Sequence, residues 1–226
     1  MCGIYGSVCF DNFKELYALN INRGNFANGH VFISNKDKSI HISRNEGVKQ
    51  YTSHPEYDVD MYLGHTQSPT GSVRDFHPST THPFETDHWL VAHNGVINNY
   101  KELIQNHLPE HRCDVDSSVI PGILELHYTH SHTVSEIDFM VKSCLDNIKG
   151  TYGIFLYNKK YNILYVARCG STLYMNESKT CFSSTQHDGF SELPELTLYR
   201  SHPGADNENK FQKIHQLKNN SSFIIF

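Results

Sequence analysis

The chain has no apolar segment approaching the roughly 18 residues that a membrane-crossing helix requires, and its first residues are not a basic stretch followed by an apolar one. A cytosolic protein with no membrane association is expected. There is no Gly/Ser run, no Pro-rich linker, no fixed-period repeat and no block of like charge. Nothing therefore marks a division, and a single domain over residues 1–226 is expected. A clustered basic face is also missing, and the formal net charge of -5 argues against a nucleic-acid partner. What is present is enough apolar content, 38%, to bury a full core. Small molecules or another protein are the expected partners.

The six cysteines (2, 9, 113, 144, 169 and 181) include no Cys-x-x-Cys pair, and the lack of a secretory signal favours reduced thiols. The five beyond Cys2 read as packing residues. Sixteen histidines are many for this length, and His127-Tyr128-Thr129-His130-Ser131-His132 has the look of a metal tract. No Cys or acidic cluster elsewhere supplies the remaining ligands, so these read as solvated histidines and no metal is expected.

The pattern of apolar residues predicts strands at both ends of the chain and helices in the middle. Ile4 to Phe10 reads as a strand, and Val31-Phe32-Ile33 with Ile40-His41-Ile42 as a hairpin. Met61-Tyr62-Leu63 and Trp89-Leu90-Val91-Ala92 read as short strands that end in polar turns, Gly64-His65-Thr66 and His93-Asn94-Gly95. Asn99 with Glu102, and Ser135 at the next helix, have N-terminal capping character. Ile137, Met140, Val141, Cys144, Leu145 and Ile148 form one helical face, which Gly150 is expected to stop. A hairpin from Tyr152 to Val166 follows, with later strands at Leu173–Met175, Cys181–Ser183, Leu196–Leu198 and Phe223–Phe226. Helices collected between strands point to an α+β layered domain.

Cys2 follows Met1 and opens Cys2-Gly3-Ile4-Tyr5-Gly6. Removing Met1 would leave a thiol and a free α-amine on one residue. The amine titrates near ~7.7–8.0 and a thiol near ~8.5, so at neutral pH part of the amine is free to take the thiol proton, directly or through a water.

Further segments follow in a fixed order. They are Arg23-Gly24 with Gly29, Gly64-His65-Thr66 with Thr70, His77-Pro78, and the block Leu90-Val91-Ala92-His93-Asn94-Gly95-Val96-Ile97-Asn98-Asn99-Tyr100-Lys101-Glu102-Leu103. Asp116 and Lys149-Gly150-Thr151-Tyr152 through Arg168 complete the set. In this order the segments resemble the glutaminase domain of class II glutamine amidotransferases, which are N-terminal-nucleophile hydrolases; residues about 2–185 carry the resemblance and 186–226 would complete the domain.

The resemblance implies a four-layer αββα sandwich of two antiparallel sheets, with no cofactor. It implies that Cys2 is the nucleophile and that Asn94 and Gly95 form the oxyanion hole. Substrate glutamine would be held by Asp116 at its ammonium group, with Thr70, Gln67, His65, Arg23 and Val96 around it; a structural role is the stronger expectation for Arg23. The expected reaction is hydrolysis of the glutamine side-chain amide to glutamate and ammonia. The ammonia would serve a separate synthase or synthetase subunit.

The pattern breaks at Gln67, where the family usually has an arginine for the substrate α-carboxylate; Arg74 in the same loop is a candidate substitute. Ser68 stands where many members have an aromatic residue, and Ser118 where many have glutamate. Gln67 leaves open a second reading, a regulatory or scaffolding relative that keeps the fold without turning over glutamine.

Overall fold

The structure, a computed structural model, describes residues 1–51, 53–68, 75–130, 132–205 and 210–218. Strand β1 (Gly3–Ser7) leads into helix α1 (Phe10–Ile21), then β2 (Ala27–Ser34), β3 (Ser39–Glu46) and β4 (Met61–Gln67). A 3-10 turn at Pro78–Thr80 precedes β5 (Phe84–Glu85), β6 (Trp89–Ile97) and α2 (Tyr100–His107). A second 3-10 turn, Asp116–Ser118, runs directly into α3 (Val119–His127), and α4 (Val134–Asp146) follows. The chain then forms β7 (Gly150–Asn158), β8 (Ile163–Cys169), β9 (Tyr174–Asn176), β10 (Cys181–Ser183), β11 (Phe190–Glu192), β12 (Thr197–Ser201) and β13 (Gln212–Gln216).

These strands make two antiparallel sheets, ordered β11-β9-β10-β1-β4-β2-β3 and β13-β12-β8-β7-β6-β5. Alternation along the strands divides their side chains between two faces. In β6, Trp89 and Val91 face the helices α2–α4, whereas Leu90 and Ala92 face the other sheet. In β1, Ile4 joins the core between the sheets while Tyr5 joins Phe10, Phe13, Leu16 and Tyr17 of α1. Three apolar clusters thus fill the gaps between four layers, α1, first sheet, second sheet and α2–α4. This is the αββα sandwich the family resemblance implied.

Several local expectations are corrected. β1 ends at Ser7, not Phe10, because the Ser7 hydroxyl accepts the Cys9 N–H (2.9 Å) and Phe10 turns into the aromatic cluster as the first residue of α1. Gly64-His65-Thr66 and His93-Asn94-Gly95 are not turns. β4 is paired on both sides, with β1 and β2, and β6 pairs with β7 from Trp89↔Asn158 to Ile97↔Gly150. Ladder hydrogen bonds outweigh the turn preference of these polar residues.

Asn99 does not cap α2; its side chain bonds the Asn147 carbonyl (3.0 Å) and the Lys149 N–H (2.9 Å). The capping box before α4 is Thr133 with Glu136, not a pair starting at Ser135. Gly150 opens β7, and the helix has already ended at Asp146. Cys9 is exposed and Cys113 half-buried, so neither is a packing residue, and all six thiols are free. The Phe223–Phe226 strand lies outside the described residues.

The inter-sheet core carries much of the stability. Phe155 is fully buried there, its ring 6.3 Å from that of Phe182. Phe155→Ala is expected to lower unfolding free energy by about 3–5 kcal/mol in urea denaturation. Val48→Ala, at a position 50% exposed, is expected to change it by less than about 0.5 kcal/mol.

Candidate active site

Cys2 sits where β1 begins, at the middle of the first sheet, between the ends of β4 and β6. Its backbone is held before any ligand arrives. Arg23 donates from Nε to the Cys2 carbonyl oxygen (2.8 Å) and from Nη1 to the Ser184 carbonyl (3.2 Å). The Asn94 amide stands on the same Cys2 oxygen. A carbonyl can only accept, so the end of the amide 2.9 Å from it is Nδ2, and Oδ1 then accepts from the Ser184 hydroxyl (3.3 Å) and Arg23 Nη2 (3.2 Å).

The thiol donates to the Ser68 carbonyl at 3.5 Å. Burial pushes the Cys2 thiol pKa up. The Ser68 backbone and the amino-terminal charge pull it down, while Asp116 adds to the rise and Arg23 opposes it. A thiol in this setting needs a base to become a nucleophile.

Cys2 opens onto a cavity of about 270 Å³. Gln67 and Ser68 line it from the end of β4, His93, Gly95 and Val96 from β6, and Asp114 and Asp116 from the loop before α3. Asp116 is oriented by backbone donors, with Oδ2 accepting the Ile97 N–H (2.7 Å) and Oδ1 the Ser117 N–H (2.8 Å). Gly95 has φ +146, and a Cβ there would lie 2.1 Å from the Thr151 carbonyl oxygen, so only glycine lets β6 run this close to β7. His93 is a buried part of that wall. The Thr151 carbonyl, 3.1 Å from Nε2, requires the proton on that nitrogen, leaving Nδ1 to accept from the Ser117 hydroxyl at 2.8 Å. Burial lowers the pKa of His93, and that of His65 to about 3, which keeps both neutral.

A larger cavity of about 480 Å³ lies among α2, α3 and α4. Its Cys144 thiol is pushed up to about 12 by burial, which leaves it unreactive.

Cys2, Gln67, Gly95, Val96 and Asp116 are thus brought to one cavity. Asn94 is adjacent but directed at the Cys2 backbone. Arg23 stands behind Cys2 as a structural clamp rather than in the lining. His65 is fully buried with its ring 4.0 Å from that of His82, so it supports the wall instead of facing a ligand. Thr70 and Arg74 lie outside the described residues.

His82 and Ser184 were missed by sequence reasoning. His-Pro occurs four times, at 54–55, 77–78, 82–83 and 202–203; the resemblance lies at His77-Pro78, but His77 is exposed beside the 3-10 turn, whereas His82 of His82-Pro83 lines the cavity. Ser184 is distant in sequence from every other site residue and carries no motif.

No family model matches the chain. It is 26% identical over 185 residues to a glutamine--fructose-6-phosphate aminotransferase [isomerizing] of Staphylococcus aureus, covering 77% of this chain and 30% of that protein. It is 33% identical over 107 residues to 7-cyano-7-deazaguanine synthase 2 of Sulfurisphaera tokodaii, covering 47% of this chain and 22% of that one. The chain therefore spans less than a third of the length of these two curated relatives. Its fold matches that of the glutamine phosphoribosylpyrophosphate amidotransferase from B. subtilis with a TM-score of 0.68 at 14% identity, over 97% of this chain and 50% of the other. In its ordered motifs the chain is similar to class II glutamine amidotransferases, and it shares the αββα fold of the glutamine phosphoribosylpyrophosphate amidotransferase.

Proposed function

We propose that this protein hydrolyses the side-chain amide of glutamine through a Cys2 thioester and delivers the ammonia to an acceptor enzyme on a separate subunit. The observation that carries this reading is the meeting of the Cys2 thiol and the Asp116 carboxylate in one amino-acid-sized cavity, with the Asn94 amide at the Cys2 backbone.

Removal of Met1, which is 81% exposed, would place the α-amine on Cys2 itself. The amine takes the thiol proton, and the thiolate attacks the carboxamide carbon. Negative charge then develops on the amide oxygen, where the second hydrogen of Asn94 Nδ2 and the Gly95 N–H are the donors. The ammonium of Cys2 protonates the departing nitrogen, and water cleaves the resulting thioester to glutamate. Asp116 receives the substrate ammonium group. Gln67 offers the α-carboxylate no charge, which costs affinity about ten- to a hundredfold relative to arginine. Free ammonia in water is mostly protonated and loses its nucleophilicity, so a shielded route to the acceptor is required.

A glutamine-like diazoketone is expected to add one adduct, on Cys2, to wild type lacking Met1 and none to Cys2→Ala, as read by intact mass. Absence of the adduct even beside the cognate partner would favour the scaffolding alternative that Gln67 leaves open. Asn94→Ala is expected to lower kcat by about 10²–10³ with little change in KM in a glutamate-release assay. Because the free amine is the active base, kcat/KM should rise with pH through roughly 7.7–8.0 and be lost below it. Gln67→Arg is expected to lower KM for glutamine about tenfold.

A further inference from the structure

We propose that Ser184 is a positioning residue for glutamine hydrolysis, fixing which end of the Asn94 amide faces the reacting centre. This rests on the reading of Asn94 as an oxyanion donor.

Ser184 is 1% exposed and lies just past β10, immediately beside the start of β1. It is tied there in both directions, its N–H donating to the Ile4 carbonyl (2.8 Å) and its hydroxyl accepting the Ile4 N–H (3.0 Å). Its own carbonyl accepts from Arg23 Nη1 (3.2 Å) and from the Thr172 hydroxyl (2.8 Å). With the Ile4 N–H occupying a lone pair of the hydroxyl oxygen, the hydroxyl hydrogen is directed to Asn94 Oδ1 at 3.3 Å. Hydrogen bonds therefore run in one sense, from Ile4 N–H to the Ser184 hydroxyl, on to Asn94 Oδ1, and from Asn94 Nδ2 to the Cys2 carbonyl.

The direction matters because an amide presents opposite dipoles at its two ends. Turned over, Asn94 would set an oxygen 2.9 Å from the Cys2 carbonyl oxygen and offer the same acceptor to developing negative charge. Donation into Oδ1 by Ser184 and by Arg23 Nη2 holds Nδ2 on the Cys2 side, and it also polarises the amide so that its N–H groups donate more strongly. Ser184 touches no reacting atom; it acts through Asn94.

The test compares wild type with Ser184→Ala and Ser184→Cys, the second retaining bulk with a weaker donor, after thermal melting confirms that each is folded. The assay is steady-state glutamate release, together with binding of two ligands. Glutamate γ-semialdehyde forms a tetrahedral thiohemiacetal with the Cys2 sulfur and so develops the oxyanion, whereas the product L-glutamate does not. The expected result is a loss of about tenfold in kcat and in semialdehyde affinity, with KM for glutamine and affinity for L-glutamate within about twofold of wild type. An unchanged kcat in a folded variant, or equal losses for both ligands, would overturn the proposal. Wild type that releases no glutamate would overturn it together with the reading beneath it, whereas active wild type with unaffected variants would overturn it alone.

Discussion

The structure depends on β1 being held in the interior of its sheet. The strand is five residues long, buried throughout, and flanked by β4 on one side and β10 on the other. Ile4 faces the inter-sheet core and Tyr5 faces α1, so the strand is clamped from above and below as well as from its edges. Full burial of side chains of this size contributes about 1.5–3 kcal/mol each. A chain start would otherwise fray. Here it is fixed, and Cys2 inherits its position from the strand that follows it.

The electrostatics of the site follow from the same enclosure. Burial raises the thiol and keeps His93 and His65 uncharged, so the site does not rely on a neighbouring imidazolium to activate sulfur. Fixed dipoles take the place of mobile charge. Asp116 is held by two backbone N–H groups, Asn94 by Ser184 and Arg23, and the Cys2 carbonyl by Arg23 and Asn94. Groups oriented in advance cost little reorganisation when charge shifts.

Gln67 is the clearest local departure from the family pattern. It is 3% exposed, its Nε2 leans toward the Thr80 carbonyl at 3.4 Å, and its Oε1 has no hydrogen-bond partner among the described residues. A buried arginine there would have required a negative partner to offset its desolvation. Within this wall the neutral amide supports the cavity at lower cost but brings no charge to a carboxylate.

The alternating strands, the α4 face and the ordered motifs were legible in the amino-acid order, because each depends on neighbours close along the chain. Cys2, Asn94, Gly95 and Asp116 could be picked out there as candidates, and the fold brings Cys2, Gly95 and Asp116 to one cavity with Asn94 beside it. Tertiary structure decided the rest. Gly64-His65-Thr66 and His93-Asn94-Gly95 carry turn-forming residues, yet pairing with flanking strands keeps them extended. His65 looks like a ligand contact and is a wall residue; His82, in one of four copies of an ordinary dipeptide, reaches the cavity. Ser184 joins the site only because β10 lies beside β1. Sequence determines which chemistry a residue can perform, whereas which residues meet depends on strand pairing between distant segments, whose energy is shared over whole sheets and leaves no local mark.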